Sequence, residues 1–283
     1  MINLIVKKEC YLIDYLTNFE SLNFNKVQTL LRKKDIKVNG ARINTNVELK
    51  INDLVQIYTS YNKLFNIEKI YEDENILIVN KPKKLEVVSK TRDISLIRLI
   101  NADYYAVHRL DFNTEGLVVL AKSKEVKKEL DIIFKERLIE KKYYCLVDKV
   151  LEKPQKFENF LIKLDGKVKV FFNKVEKSER IALNINPIKN NKKYTLLEVE
   201  LLTGKTHQIR AQLSFNNINV LGDEKYGNIK LNKLLNLKSQ ILTAYSLKFN
   251  FGKNNKNIQL LEYLDGSEFR LTNTLPEKLF DVL

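Results

Sequence analysis

The chain has 283 residues, 44% of them hydrophobic, enough for a sizeable core in one large or two smaller domains and too many for a disordered chain. Lysine and arginine outnumber aspartate and glutamate by 49 to 35, and the formal net charge of +14 favours a polyanionic partner such as nucleic acid, although codon bias toward lysine explains part of the count. Two histidines and two cysteines, none at ligand spacing, make neither a zinc site nor a disulfide framework, and the longest apolar runs, such as GLVVLA, fall far below the roughly 20 residues that span a bilayer. The expectation is a soluble, reduced, cytoplasmic protein that holds no metal and has no membrane partner.

In chain order, NKVQTLLRKKDIKVNG places Val27, Leu30 and Leu31 at i, i+3, i+4, which predicts a short amphipathic helix. DIKVNGARI follows as strand, turn, strand, with Asn39-Gly40 as the hairpin turn. VELKINDLVQIY adds alternating apolar residues around an Asn52-Asp53 turn. Arg32, Lys33, Lys34, Lys37 and Arg42 stand against one acid, Asp35, in this stretch. Such a run can track a phosphate backbone or simply solvate a helix end. The polar TSYNKLFN suits a linker, so the chain divides into residues 1–60, a linker at 61–66 and a larger domain at 67–283.

IEKIYEDENILIVNKP reads as two strands around an acidic turn at Glu72–Asn75, ended by Pro82, which has no N–H for a ladder. AVHRLDFNTEGLVVLAK sets a polar knot, His108-Arg109-Leu110-Asp111, before a glycine and an apolar run. That knot can be a His–Asp acid/base pair or an ion pair that holds a loop. Val126, Leu130, Ile133 and Phe134 then fall at helix spacing, and KKYYCLVDKV reads as a strand. Residues 151–195 read as hairpins with a basic loop, PIKNNKKY, and TLLEVELL as another strand. In TGKTHQIRAQL, Thr206 is the predicted N-cap, and Ile209 and Leu213 share a helix face. Strands outnumber helices and do not alternate with them, which predicts an α+β fold with a mainly antiparallel sheet.

Two resemblances sharpen this. The apolar helix, the core R-K-x-x-I-K-V-N-G, a basic residue after the glycine and the closing N-D-x-V-x-I resemble an S4-type RNA-binding domain over about the first sixty residues. Asn23, Phe24 and Asn25 replace the Ser-Arg-Ser-like start of that pattern. Further on stand VNKP (79–82), HRLDFNTEGL (108–117), KKYYCLV (141–147), TGKTHQIR and LGDEKYG (203–227). In this order they resemble the RluA-type family of RNA pseudouridine synthases over about residues 67–250. The resemblances imply a small S4-like RNA-binding domain followed by a catalytic domain, built on a mainly antiparallel mixed sheet with flanking helices. They imply isomerisation of uridine in RNA with no cofactor. Large-subunit ribosomal RNA is the expected partner and transfer RNA the alternative, and the expected state is a monomer.

The reaction breaks the base–sugar bond, turns the uracil and rejoins it through carbon 5, so neither redox nor metal chemistry is required. An anion that stabilises the electron-poor intermediate suits it, and a carboxylate is ionised at neutral pH. The resemblance places this role on Asp111. Desolvation favours a protonated carboxyl, which a nearby guanidinium opposes, and the resemblance assigns that partner to Arg210. Tyr143, on the family's K-x-Y position, would stack on the flipped uracil and relay the carbon-5 proton; Tyr144 is its rival in register. The resemblance turns His108 from a base into a residue that, with Arg109, shapes the loop or touches RNA. Thr114 and Gly116 fit a tight turn. Lys205 and His207, at a helix start, would meet RNA phosphate, while Asp223, Tyr226 and Gly227 read as structural. Lys84, Asn113, Glu115 and Asn219 depart from the family pattern in its loops. Two rivals remain: a non-catalytic RNA-binding assembly factor, and a glycoside-type hydrolase that pairs Asp111 with Glu115.

Overall fold

The structure, a computed structural model, describes residues 2–20, 22–58, 65, 67–89, 94–252, 257–280 and 283. The chain starts with β1 (Ile2–Ile5), β2 (Cys10–Tyr11), a turn of helix α1 (Leu12–Asp14) and helix α2 (Phe24–Arg32). Strands β3 (Ile36–Val38), β4 (Ala41–Ile43), β5 (Glu48–Leu49) and β6 (Leu54–Ile57) follow, and β1-β6-β3-β4 form one antiparallel sheet. Asn23, where the S4-like pattern departs, is the N-cap of α2: its side chain accepts from the Asn25 N–H at 2.9 Å. Val27, Leu30 and Leu31 are buried as their spacing predicts. Asn39 and Gly40 both take positive φ, 48° and 84°, as a two-residue hairpin turn requires.

The rest builds a larger mixed sheet. Its strands are β7 (Glu68–Glu72), β8 (Ile76–Lys81), β9 (Tyr105–Ala106), β10 (Glu115–Ala121), β11 (Ile139–Val147), β12 (Gln155–Lys163), β13 (Val168–Phe171), β14 (Glu179–Asn190), β15 (Thr195–Leu201), β16 (Leu242–Phe249) and β17 (Glu268–Arg270). The order is β13-β12-β14-β15-β11-β16-β10-β8-β7, with β17 on β16 and β9 on β10. Among the described residues β10 and β16 run parallel, and the other paired strands of this sheet run antiparallel. Helices α3 (Leu96–Ile100), α4 (Lys124–Lys135), α5 (Gln208–Phe215), α6 (Ile229–Leu234) and α7 (Leu275–Phe280) flank it.

The apolar run GLVVLA is explained by burial on both faces. Val118 and Leu120 enter one apolar cluster, together with Tyr143, Ile209 and Leu213. Leu117, Val119 and Ala121 enter the other, beneath Val126, Leu130 and Ile133 of α4. The first cluster continues into the N-terminal sheet, and the Glu20 carboxylate accepts from the Ile94 N–H at 3.1 Å across that junction. Of the linker expected at 61–66 only Phe65 is described, buried in the same cluster; 61–64 and 66 lie outside the described residues. Cys10 and Cys145 are both free, and burial pushes the Cys145 thiol up to about 12.

Three local expectations need correction. Gly116 is a strand residue, not a turn residue: a Cβ there would fall 2.2 Å from the Ala244 carbonyl oxygen, on the parallel partner β16. Thr206 does not cap α5; His207 occupies that position, with φ 53° and no side-chain cap bond, while Gln208 Oε1 accepts from the Lys205 N–H and the Thr203 hydroxyl in the turn before it. PIKN belongs to β14, which pairs with β15 through Asn190, so the basic loop shrinks to an Asn191 turn. Pairing of β14 with β12 has ended by Ile185, so Pro187 removes no donor from that ladder. No described helix is long and apolar enough to cross a membrane.

Candidate active site

The HRLDFNTEG segment is held from three sides. The buried Leu110 anchors it in the core. A turn closes it, the Thr114 N–H donating to the Asp111 carbonyl at 3.0 Å, and the Phe112 carbonyl accepts from the Leu85 N–H at 3.3 Å. Gln240 Nε2 donates to the buried Thr114 hydroxyl at 3.2 Å. Asp111 thereby reaches the wall of a cavity of about 530 Å³ while its side chain stays 16% exposed.

Arg210, on α5, meets it there. Its Nη1 donates to Asp111 Oδ2 at 2.8 Å, and its Nε and Nη2 donate to Asp223 Oδ2 and Oδ1 at 2.6 and 2.9 Å. One guanidinium thus bridges two carboxylates, bidentate to the buried one. Burial alone would weaken the arginine's charge, but the bonds and charge of Asp223, and then Asp111, outweigh it and raise its pKa. Burial likewise works against the charge of Asp223, and Arg210 reverses this, so that its pKa falls. Asp223 Oδ1 also accepts from the N–H groups of Lys225 and Tyr226 at 2.8 and 3.0 Å. The Gly-Asp pair of LGDEKYG is therefore the clamp that aims Arg210.

Tyr143, on β11, lines the same cavity, whereas Tyr144 turns to the opposite face and stacks on Tyr245 at 3.7 Å. Burial first, then the charge of Asp111, raises the Tyr143 pKa, so it is a phenol and not a phenolate at neutral pH. His108 is no partner of Asp111. Its Nε2 accepts from the Val119 N–H at 2.9 Å, and its ring stacks on Phe134 at 4.5 Å. Burial, helped by Lys141, holds its pKa down to about 3, so it is neutral.

His207 comes nearer than sequence alone indicated. Its Nε2 lies 4.0 Å from Asp111 Oδ1, and its Nδ1 lies 2.9 Å from the Tyr226 hydroxyl, which accepts from the Val168 N–H at 3.0 Å. Burial lowers the His207 pKa against the pull of Asp111. Lys205 is ion-paired with Glu179 at the rim, and Arg109 lines the cavity with its side chain exposed. Arg32, Lys33, Lys34, Lys37 and Arg42 lie away from this cavity on the N-terminal sheet and helix, where Lys37 and Arg42 sit 5.1 and 5.9 Å over the Tyr58 ring.

Sequence reasoning missed one further residue. Lys81, last on β8, is fully buried, and its Nζ donates to the Pro82 and Leu85 carbonyls at 2.9 and 2.7 Å. Leu85 in turn holds Phe112, so Lys81 ties the strand end to the Asp111 loop. Desolvation drags its pKa down to about 7 against the pull of Asp111 and Glu115. The available signal was a lysine closing the otherwise apolar run ILIV-Asn. Among the described residues no group of three or more His, Cys, Asp or Glu side chains is placed to hold a metal.

A loop presents one carboxylate to a cavity, opposite an arginine locked by a second carboxylate, on a mixed sheet flanked by helices, and known proteins of one class of RNA-modifying isomerase are similar to this chain. A family model described as RNA pseudouridylate synthase matches residues 75–215. The ribosomal large subunit pseudouridine synthase C of Buchnera aphidicola subsp. Baizongia pistaciae is 31% identical over 281 residues, covering 87% of this chain and 87% of that protein. A protein of Mycoplasma capricolum named as an RNA pseudouridine synthase is 34% identical over 262 residues, 82% of this chain and 84% of its own length. Human RNA Pseudouridylate Synthase Domain Containing 1 superposes with a TM-score of 0.57 at 20% identity, over 77% of this chain and 94% of that one, and shares the fold. The chain belongs to the RNA pseudouridine synthase family and is an isomerase.

Proposed function

We propose that this enzyme converts specific uridines of large-subunit ribosomal RNA to pseudouridine, with Asp111 as the acting carboxylate. The observation that carries the role of Asp111 is its contact with Arg210 inside the cavity, 2.8 Å from a guanidinium that Asp223 prevents from turning away. The ribosomal substrate is supported by relatives named ribosomal large subunit pseudouridine synthase C in several bacteria.

A uridine turned out of its strand enters the cavity at an unstacking cost on the order of a few kcal/mol. Asp111 meets the electron-poor fragment as the base–sugar bond opens, and Arg210 fixes which carboxylate oxygen stays free. Tyr143 works as a hydroxyl: its ring is a stacking surface for the turning uracil, and its O–H relays the carbon-5 proton. Residues 1–60 act as the S4-type RNA-binding domain, joined by 61–66 to the catalytic domain at 67–283. Its exposed Arg32, Lys33, Lys34 and Arg42, with Lys37, meet backbone phosphate, as do Arg109 and Lys205 at the cavity rim, while His207 orients Asp111 or the RNA. The enzyme acts as a monomer in the cytoplasm and needs no cofactor.

The decisive measurement is pseudouridine mapping on ribosomal RNA incubated with the wild type and with Asp111→Ala. The variant is expected to form no pseudouridine while binding RNA within about twofold of wild type. Isomerisation by the variant would sink the assignment of Asp111, and wild-type modification of transfer RNA alone would sink the choice of substrate.

A further inference from the structure

The cavity carries more positive charge than the chemistry above employs. Arg109, Lys135, Arg137, Lys141 and Lys205 all line it, and Asp111 is its one carboxylate. Lys205 is matched by Glu179, and Arg210 by Asp111 and Asp223. Among the described residues no ion pair joins Arg109, Arg137 or Lys141 to a carboxylate. Lys141 has its pKa lowered by burial and then by the charge of Arg137, so the two cations face the same space.

Arg137 is also held in a backbone conformation that its side chain disfavours. It follows the end of α4, where the Leu138 N–H donates back to the Ile133 carbonyl at 2.9 Å, and its φ is 62°. That is the left-handed residue of a helix C-cap, a place glycine fills without strain. Among the described residues three other helices end with the same bond. Asp35 N–H donates to Leu30 O at 2.9 Å after Lys34, Ile218 N–H to Leu213 O at 3.0 Å after Asn217, and Leu237 N–H to Asn232 O at 2.8 Å after Asn236, with φ 56°, 57° and 52°. Asparagine tolerates this conformation, whereas at two of the four caps a long cationic side chain, Lys34 or Arg137, sits in it, and of these two Arg137 lines the cavity. Lys135 already supplies a cation to the α4 C-terminus, so the helix dipole does not call for a second.

We infer that Arg137, with Lys141 beside it, binds a backbone phosphate of the RNA next to the uridine in the cavity. This rests on the reading that RNA is the substrate. A guanidinium forks onto two phosphate oxygens, and the left-handed backbone directs it to the cavity at the expense of helix stability.

The test uses the full-length chain with Arg137→Gly, Arg137→Asn and Arg137→Lys. Three quantities are measured: thermal midpoint, direct titration of an RNA transcript that the wild type binds, across a range of salt, and steady-state turnover. Arg137→Gly and Arg137→Asn are expected to unfold about 1–2 °C above wild type. They should bind RNA about tenfold more weakly, with a log–log salt slope shallower by about one, and the loss in kcat/KM should lie in KM. Arg137→Lys should keep most of the affinity and the wild-type slope. A higher midpoint with unchanged affinity and slope would overturn the phosphate contact. A lower midpoint in both Gly and Asn variants would show instead that the side chain stabilises the helix end. Binding is read apart from turnover, so failure of the wild type to form pseudouridine would count against the enzymatic reading and leave the slope comparison standing.

Discussion

At the scale of single residues, Arg210 and Asp223 change what a substitution at the site means. Asp223 is fully buried and Arg210 nearly so, so Arg210→Ala leaves a buried carboxylate without its counter-charge. Breaking such a pair costs about 3–5 kcal/mol. Urea denaturation should show Arg210→Ala destabilised by that much, and Arg210→Met combined with Asp223→Asn should recover most of it, while both remain inactive. Lys81 gives a pH signature. Its pKa of about 7 in the folded chain lies below its ordinary 10.5. Between those values the unfolded chain holds a proton that the native chain has lost, so stability rises with pH across that window; below about 7 both forms are charged and the burial cost is present in full. Thermal midpoints of wild type and Lys81→Met should therefore diverge between pH 7 and 9.5 in favour of wild type, by on the order of a few kcal/mol. Equal slopes would place Lys81 in a wetter site. Asp111, Tyr143 and Arg210 were legible through their motifs. Asp223 reads as structural, but its pairing with Arg210, 13 residues away, was not legible, and Lys81 was missed, because a buried charge looks like a surface charge in a sequence.

At the scale of elements, periodicity located α2, α4 and the strands around them, since their apolar faces are one-sided or wholly buried. It failed where backbone pairing decides. PIKN reads as loop by composition, yet β15 offers it a ladder; Thr206 reads as a cap, yet the helix starts one residue later, after a left-handed His207. Gly116 shows the same limit, because nothing local announces that another strand lies against it. Gly116→Ala puts a methyl group within 2.2 Å of a carbonyl oxygen at φ 125°. Strain and clash together should destabilise by about 3 kcal/mol or more. Loss of pseudouridine formation should accompany it, since β10 carries the Asp111 loop; a melting curve unchanged from wild type would mean that the strands part more easily than their geometry indicates.

At the scale of the whole molecule, the site is assembled from distant parts of the chain. Asp111 and Arg210 are 99 residues apart, and Glu115 meets Thr243 across 128. Antiparallel neighbours such as β7 and β8 join through a short turn, whereas the parallel seam between β10 and β16 has no local route. During synthesis at about 5–20 residues per second, β16 therefore emerges roughly 6–25 s after β10. For that interval β9 covers Leu120 and Ala121, but the start of β10 at Glu115 and Gly116 waits for its partner, an open edge that invites intermolecular pairing. The bare backbone at Gly116 is what lets the late strand close onto it. The residue that keeps the finished sheet tight thus stands at the seam that closes last, after a wait set by chain length and synthesis rate.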